Sequence, residues 1–537
     1  MTATGVAPYR STAAPGRDGF GQLLRAEWTK IRTVRGWVIG LVLAALLTVV
    51  LGVLTTIGGQ IQCSDSPTGP TLSGAACRQV PPLGPNGEPV TDDFYFVHQS
   101  LGETGSITVR VTALTGLYWA RGAAQAGVGT SGMTSGTQPW SKAGIIIEQD
   151  ATHLGSAYAA MTTTGANGVR MQYDYTHDIA GLPGAASAKA PQWLRLTRSG
   201  DTIVGYDSAD GTNWTEVGTA TLPGLPSTVQ AGMFAASPAH EVSTGGIGGS
   251  STGGAPSDAT GTFDSVSLRG SWTPGGSWTG TAISGGGPAG GGAQPEQFAQ
   301  TGGTFSVTGS GDIAPADGPD TGRPTGQGLV GAFAGLIALI VVASLFVTSE
   351  YRRGLIRVTL AASPRRGRVL AAKAVVVGAA GFVAGLVGAG ITLPLCNHLA
   401  YDKGAYLLPV SGFTEARVIV GTAGIFAVVA VLALAVGTLL RRSAATVTLV
   451  IVGIALSYIL TVASVLPDGV TEWMARLTPA AAFAVQQTMV AYPQATANYT
   501  PGNGFFPLSP WAGFAVLCGY AAVALALAAY RLRRRDA

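Results

Sequence analysis

The sequence predicts an α-helical polytopic membrane protein of six transmembrane helices, with an all-β sandwich or jelly roll inserted on the outer side between the first two. Three observations predict it. Only 11% of the 537 residues are charged and the mean hydropathy is +0.34, too apolar a balance for an ordinary soluble protein. Six apolar runs each approach the roughly 20 residues needed to cross a hydrocarbon core. Arg and Lys collect at alternate ends of those runs, as they do on the side of a bilayer where they stay. The net charge of +4 is dispersed over these ends, so no nucleic-acid partner is expected.

Residues 1–19, rich in Ala, Gly, Thr and Pro, read as a disordered cytoplasmic tail. In 20–36, Phe20, Leu23, Leu24, Trp28 and Ile31 recur at helical spacing while Gln22, Arg25, Lys30 and Arg32 fall mostly elsewhere. That pattern describes an amphipathic helix lying in the interface. It runs into the first span, 37–58, whose core is VIGLVLAALLTVVLGVLTTI. The run is long for a signal core and no clean small-x-small site comes after it, so it reads as a retained anchor. Arg25, Lys30, Arg32 and Arg35 hold its start inside, which puts the segment beyond residue 58 outside.

The grammar then changes. A Pro/Gly-rich lead-in, 59–91, carries Cys63 and Cys77, a candidate disulfide in an oxidising exterior. Short apolar or alternating runs come next, at Phe94–Val97, Ile107–Val111, Gly144–Glu148, Val169–Tyr175, Trp193–Thr197, Thr202–Tyr206, Val229–Ala235 and Phe263–Leu268. Turn residues such as Ser199-Gly200-Asp201 and Asp210-Gly211 separate them. Many short strands with regular turns predict a sandwich over 92–269, and the Gly-rich 270–327 reads as a flexible stalk.

Three segments carry a resemblance. WSKAGIII from Trp140, QWLRL from Gln192, and GYDSADGTNW from Gly205 with Val217-Gly218 behind it resemble the concanavalin A/laminin-G-like jelly-roll domains that accompany bacterial carbohydrate-active proteins. The resemblance covers the middle third of the chain and implies a fold more than a ligand. Trp140, Trp193 and Trp214 are the candidate ligand-facing aromatics. Packing within the sandwich is the competing reading, and the favoured one, since all three adjoin strand patterns. Paired carboxylates for glycoside hydrolysis would have to come from Asp150, Asp174, Asp178, Asp201, Asp207 and Asp210, most of which sit where Asp is favoured for turn bonding.

The second span, 328–348, returns the chain to a loop, 349–373, that carries seven basic residues against the single acid Glu350. The third span, 374–395, leads out and contains Gly381 and Gly385, a small-xxx-small face for close helix contact. An external loop, 396–417, and the fourth span, 418–440, bring the chain back to Arg441-Arg442. The fifth span, 444–466, is followed by an outer loop, 467–510, in which Trp473–Val490 reads as an interfacial helix with Pro479 near its start. The sixth span, 511–530, ends at the basic tail 531–537. Both termini are therefore expected in the cytoplasm, with 59–327 outside.

The six apolar cores contain no acidic or basic side chain, Lys373 standing at the inner end of the third. That disfavours an ion-coupled carrier. With no GxxxxGK[ST] loop either, any energy for transport should come from another polypeptide.

LRAEWTKIRT from Leu24, EYRRGLIR from Glu350, SPRRGR from Ser363 and LTPA from Leu477 resemble the corresponding segments of ABC-2-type transporter permeases, and span count and loop order match. The large sandwich departs from that pattern. The resemblance implies a permease subunit of an ATP-driven transporter, an exporter by expectation, without an ATPase site of its own. ATP and Mg would be bound by a partner, a cytoplasmic ABC ATPase dimer, and a second permease subunit, identical or related, would complete the path in the lipid bilayer. No cofactor or metal is expected in this chain.

The coupling loop would comprise Glu350, Tyr351, Arg352, Arg353, Gly354, Leu355, Ile356 and Arg357, a break, and then Ser363, Pro364, Arg365 and Arg366. Ser363 and Pro364 suit a helix N-cap and first turn. Leu355, Ile356 and Leu360 would offer an apolar ridge to the partner, beside the interfacial helix of Phe20, Leu24, Trp28 and Ile31. The alternative reading is a membrane-anchored glycan-binding or sensing protein without transport activity, for which six spans and a structured inner loop are more than an anchor requires.

Overall fold

The computed structural model describes the chain apart from residues 1–18, 59–61, 65–70, 74–79, 120–132, 247–248, 285–296, 317–321, 357–358, 360–364, 463–467, 497–498, 502–503 and 535–537. The expected Cys63–Cys77 pairing and the Ser363-Pro364 cap lie outside what is described. Among the described residues six helices are long and apolar enough to cross a membrane. They are preceded by α1 (Phe20–Thr33), whose polar and apolar faces separate as its spacing requires.

The spans are α2 (Arg35–Gly58), α3 (Ala332–Arg352, entered through a 3-10 turn), α4 (Arg366–Asp402), α5 (Gly412–Leu440), a broken fifth made of α6 (Ser443–Ile451) and α7 (Ser457–Val462), and, after the short α8 (Asp468–Leu477), α9 (Pro510–Arg534). A single π turn, Val452–Leu456, joins α6 to α7. The core is an apolar cluster on the inward faces of α3, α4 and α5. Close approach of α4 and α5 needs the small residues the sequence supplies: a Cβ on Gly385 would lie 2.8 Å from the Phe426 ring and 2.9 Å from the Ala423 backbone.

The outer-loop helix differs from expectation. Thr478 accepts from the Ala480 N–H and Pro479 opens a separate 3-10 helix, Pro479–Gln486, because proline suits a first turn and ends the helix before it. That second piece is buried at Ala480–Val485. Its Phe483 ring stands 4.8 Å from Phe333 of α3 and 4.6 Å from Tyr458 of α7, so it plugs the sandwich end of the bundle where an interfacial position was expected.

The inserted domain is an antiparallel sheet of fourteen strands that nearly closes on itself. Its spine is one 26-residue strand, Phe94–Trp119, where two were expected. One end of it pairs with Val229–Ala236 and Thr279–Ile283, the other with Gln192–Ser199 and Ser257–Trp272, so it passes from one layer of the sandwich to the other. Gly200 and Gly211 take positive φ in the two turns that the sequence marks.

The domain runs beyond 269. Thr279–Ile283, Gln297–Thr301 and Thr304–Gly309 join the same sheet, and Ile313–Pro315 pairs with Val90–Asp92. Part of the expected stalk is therefore sandwich, its glycines filling strands and turns. The Gly-rich run after Val242 likewise pairs as a hairpin, His240–Gly246 with Gly249–Ala255.

Candidate functional site

At the end of the bundle away from the sandwich, three elements meet on four charges. Glu27 projects from the α1 face that carries Leu23 and Ile31, one turn to either side. Glu350 stands in the last turn of α3, and Lys373 two turns into α4. The Lys373 ammonium donates to Glu27 Oε2 at 2.9 Å and to Glu350 Oε1 at 2.7 Å, and it lies 5.2 Å from the centre of the Phe346 ring. Lys30 closes the ring by donating to Glu27 Oε1 at 2.9 Å and Glu350 Oε1 at 3.1 Å. Two carboxylates face two ammonium groups, so the cluster is neutral and each charge has a partner of opposite sign.

Burial makes these contacts consequential. The Lys373 side chain is 2% exposed, where the sequence placed it at the inner end of a span with its charge outside the apolar core. Its methylenes lie among apolar neighbours and its head reaches two acids, which is how a buried ammonium is tolerated. The Lys30 ammonium is held above its ordinary value: burial, the largest influence, pulls it down, but hydrogen bonds and charge from Glu27 and Glu350 together outweigh that. Glu350 Oε2 is buried without a hydrogen-bond partner among the described residues.

The loop residues divide around this cluster. Ile356, expected on an outward ridge, is 7% exposed and packs on Val369, with Leu23 and Tyr351 alongside. Leu355 is 49% exposed, and Arg352, Arg353 and Gly354 are exposed with it. Arg357 and Leu360 lie outside the described residues. The Arg441 guanidinium lies 5.1 Å from the Tyr351 ring centre, tying the α5–α6 turn to the end of α3. Arg365 is exposed, and Arg366 donates to the Leu532 carbonyl of α9 at 2.9 Å. On α1, Ile31 is buried and Leu24 packs against the core, while Phe20 and Trp28 face outward.

Sequence reasoning missed Glu27, Lys30 and Lys373 as members of one site. The signal was present in part: Glu27 interrupts an apolar i, i+4 row, and Lys373 sits inside VLAAKAVVV. Their convergence is tertiary.

The ectodomain residues fare differently. Trp140, Trp193 and Trp214 are partly exposed and stand outside both apolar cores of the sandwich. Each has an arginine over its ring: Arg170 at 5.8 Å, Arg110 at 5.6 Å and Arg195 at 3.7 Å. A sugar stacking on the covered face would have to displace that guanidinium. Among the turn acids, Asp150 and Asp210 accept backbone N–H groups two residues on, and those bonds hold both carboxyls below the usual range. Asp178 is paired with Arg170. Among the described residues no three His, Cys, Asp or Glu side chains converge to hold a metal ion.

A model of the ABC-2 family transporter protein matches residues 25–537. The chain belongs to the ABC-2 transporter family. An ABC-2 protein of this kind is a multi-pass membrane permease of an ABC transporter, and the match spans the sandwich as well as the helices. No curated protein matches the chain.

Solved structures match about two fifths of the chain. A functionally unknown protein from Saccharomyces cerevisiae shares 15% identity over 39% of this chain and 94% of its own, with a TM-score of 0.20. SCP-B, a member of the Eqolisin family of peptidases in complex with a tripeptide Ala-Ile-His, shares 7% over 41% and 98%, with a TM-score of 0.23. Scytalido-glutamic peptidase with a transition state analog inhibitor shares 8% over 41% and 98%, with a TM-score of 0.26. Scores this low carry no inference about activity.

Proposed function

We propose that this ABC-2 permease is an exporter subunit driven by a separate cytoplasmic ATPase dimer, which binds ATP and Mg, and that two permease subunits form the path. The basic end of the bundle and both termini face the cytoplasm, and the sandwich lies outside as an accessory domain. The observation that carries the reading is the bond of Glu350 to both Lys30 and Lys373. It fixes the start of the loop after α3 to α1 and α4 together, so a push on that loop moves three elements as one. Exposed Leu355 and Arg353, next to this joint, are the surface on which the ATPase would act. The arginine-covered tryptophans favour a structural sandwich over a sugar platform.

Leu355→Asp, with Arg353→Glu, is expected to leave the permease in the membrane but to reduce ATPase co-purification at least fivefold. Unchanged recovery of ATPase would refute the docking assignment. Sidedness is tested by maleimide labelling in intact cells: Lys189→Cys, on an exposed turn of the sandwich, should label, and Arg353→Cys only after permeabilisation. Lys142 is unsuitable for that test, being 0% exposed and paired with Asp312.

A further inference from the structure

A cavity of about 380 Å³ opens at the basic end between the last turn of α5, the first turn of α6 and the last turns of α9. Arg441, Arg442 and Arg531 line its polar side. Arg441 is held in the left-handed region at φ 57°, capping α5 with its backbone N–H on the Gly437 carbonyl, so the turn aims successive arginines at the same space. Arg531 reaches across from α9 and donates to the Leu439 carbonyl at 3.1 Å. Among the described residues none of the three forms a salt bridge.

Apart from Thr438 the rest of the lining is apolar, through Leu439, Leu440, Ala445 and Leu532. It continues outward along two helix faces. Leu527 and Val523 are exposed one and two turns before Arg531 on α9, and Leu449 is exposed one turn beyond Ala445 on α6. A ligand that fills this space has an anionic head for three guanidiniums and hydrocarbon for the faces behind them.

We propose that this cavity is a binding site for an anionic phospholipid, its phosphodiester on Arg441, Arg442 and Arg531 and its acyl chains along Leu527 and Leu449. Basic pockets between membrane helices at the point where hydrocarbon gives way to water have this chemistry. An acidic protein surface would satisfy the arginines but leave the apolar wall uncovered. The site ties α5, α6 and α9 to the leaflet beside the coupling loop, because Arg441 also stacks on Tyr351.

The test uses the full-length chain in detergent, its thermal midpoint followed during titration with phosphatidylglycerol, phosphatidylcholine or inorganic phosphate. Phosphatidylglycerol is expected to raise the midpoint and phosphatidylcholine not to. With Arg442→Gln and Arg531→Gln combined, about thirty-fold more phosphatidylglycerol should be needed for the same rise. Arg442→Lys with Arg531→Lys should keep most of the response, which separates loss of charge from misfolding. Removing two charges elsewhere, by Arg353→Gln and Arg368→Gln, should cost less than threefold. An equal loss in both Gln pairs, an equal response to phosphatidylcholine, or a response to inorganic phosphate as large as to the lipid overturns the proposal. So does a Gln pair that loses the ATPase while still responding to phosphatidylglycerol.

Discussion

Two regions of this molecule bury carboxylates, and they do it in opposite ways. At the basic end of the bundle, Glu27 and Glu350 are matched by Lys30 and Lys373, and every pair lies within 3.1 Å. In the sandwich, Asp92 and Glu148 lie beside the rings of Tyr158 and Tyr175, which meet edge to face at 4.9 Å, and the nearby base, Lys142, is taken by Asp312 at 2.6 Å. Asp92 Oδ2 accepts the Gly155 N–H at 2.8 Å, while Asp92 Oδ1 and Glu148 Oε2 have no hydrogen-bond partner among the described residues. Burial pushes Asp92 up to about 6 and Glu148 well above the usual carboxylate range. Asp174, in the next turn, is pushed up to about 6 chiefly by burial. A balanced cluster makes a joint whose charges hold one another. An unbalanced one makes a group that takes up protons.

The largest expected effect comes from unbalancing the first cluster. Lys373→Met fills a similar volume but removes the buried cation between Glu27 and Glu350, leaving them only the more exposed Lys30, which should cost about 3–5 kcal/mol. The measurement is the thermal midpoint and the monodisperse yield of the purified permease, and the loss should be partly recovered by adding Glu350→Gln. A Lys373→Met protein as stable as the parent would mean that the four charges do not act as a unit.

The second effect is a pH dependence that only the sandwich should show. A carboxyl whose folded value is raised binds its proton more tightly in the native state, so its stabilisation is full below the unfolded value of 3.8 and is lost as pH rises through about 6. For Asp92 that amounts to about 2 kcal/mol between pH 4 and 7. Acids held low by a partner, such as Asp264 bonded to Arg110, act in the reverse sense and only below about pH 4. Hydrogen exchange of the full-length protein should therefore show Val90–Asp92 and Lys142–Glu148 better protected at pH 4.5 than at 7.5, and Asp92→Asn should flatten the difference. Protection that rises with pH in these strands would break the contrast.

Much of this architecture is legible in the sequence because its signals are local. Six apolar runs fix the spans, Gly200 and Gly211 fix the turns, and Gly385 marks a close helix contact. The illegible parts depend on partners far along the chain. Thr279–Ile283, Gln297–Thr301, Thr304–Gly309 and Ile313–Pro315 read as linker since the glycines and serines around them give no alternation, and only their pairing, with the spine, with Ser257–Trp272, with one another and with Val90–Asp92, reveals them as strands. Lys142–Glu148 is buried on both faces, Ile145 and Ile147 in one core and Ile146 in another, which removes the alternation that would have shown where Glu148 points. The joint escapes a sequence reading for the same reason: Glu27, Glu350 and Lys373 lie in three separate segments, and each looks like a boundary marker until the helices bring them together. Ile356 looks like part of an outward ridge because its burial partner, Leu23, lies on α1.

The smallest effect tests whether balance alone, or burial as well, makes the joint. Lys30 carries the same charge as Lys373 and bonds the same two acids, but its side chain is 39% exposed. Solvent therefore screens it, and an exposed pair of this kind contributes at most about 1 kcal/mol. Because its ammonium is held above 10.5, whatever it adds is fully present below that pH and fades only above it. Lys30→Met should lower the thermal midpoint far less than Lys373→Met and should be indifferent to pH between 6 and 9. It should also leave ATPase co-purification intact, since Lys373 still bridges Glu27 to Glu350. If the two lysine variants instead cost the same, the joint rests on net charge at the membrane surface and the buried geometry of Lys373 adds nothing to it.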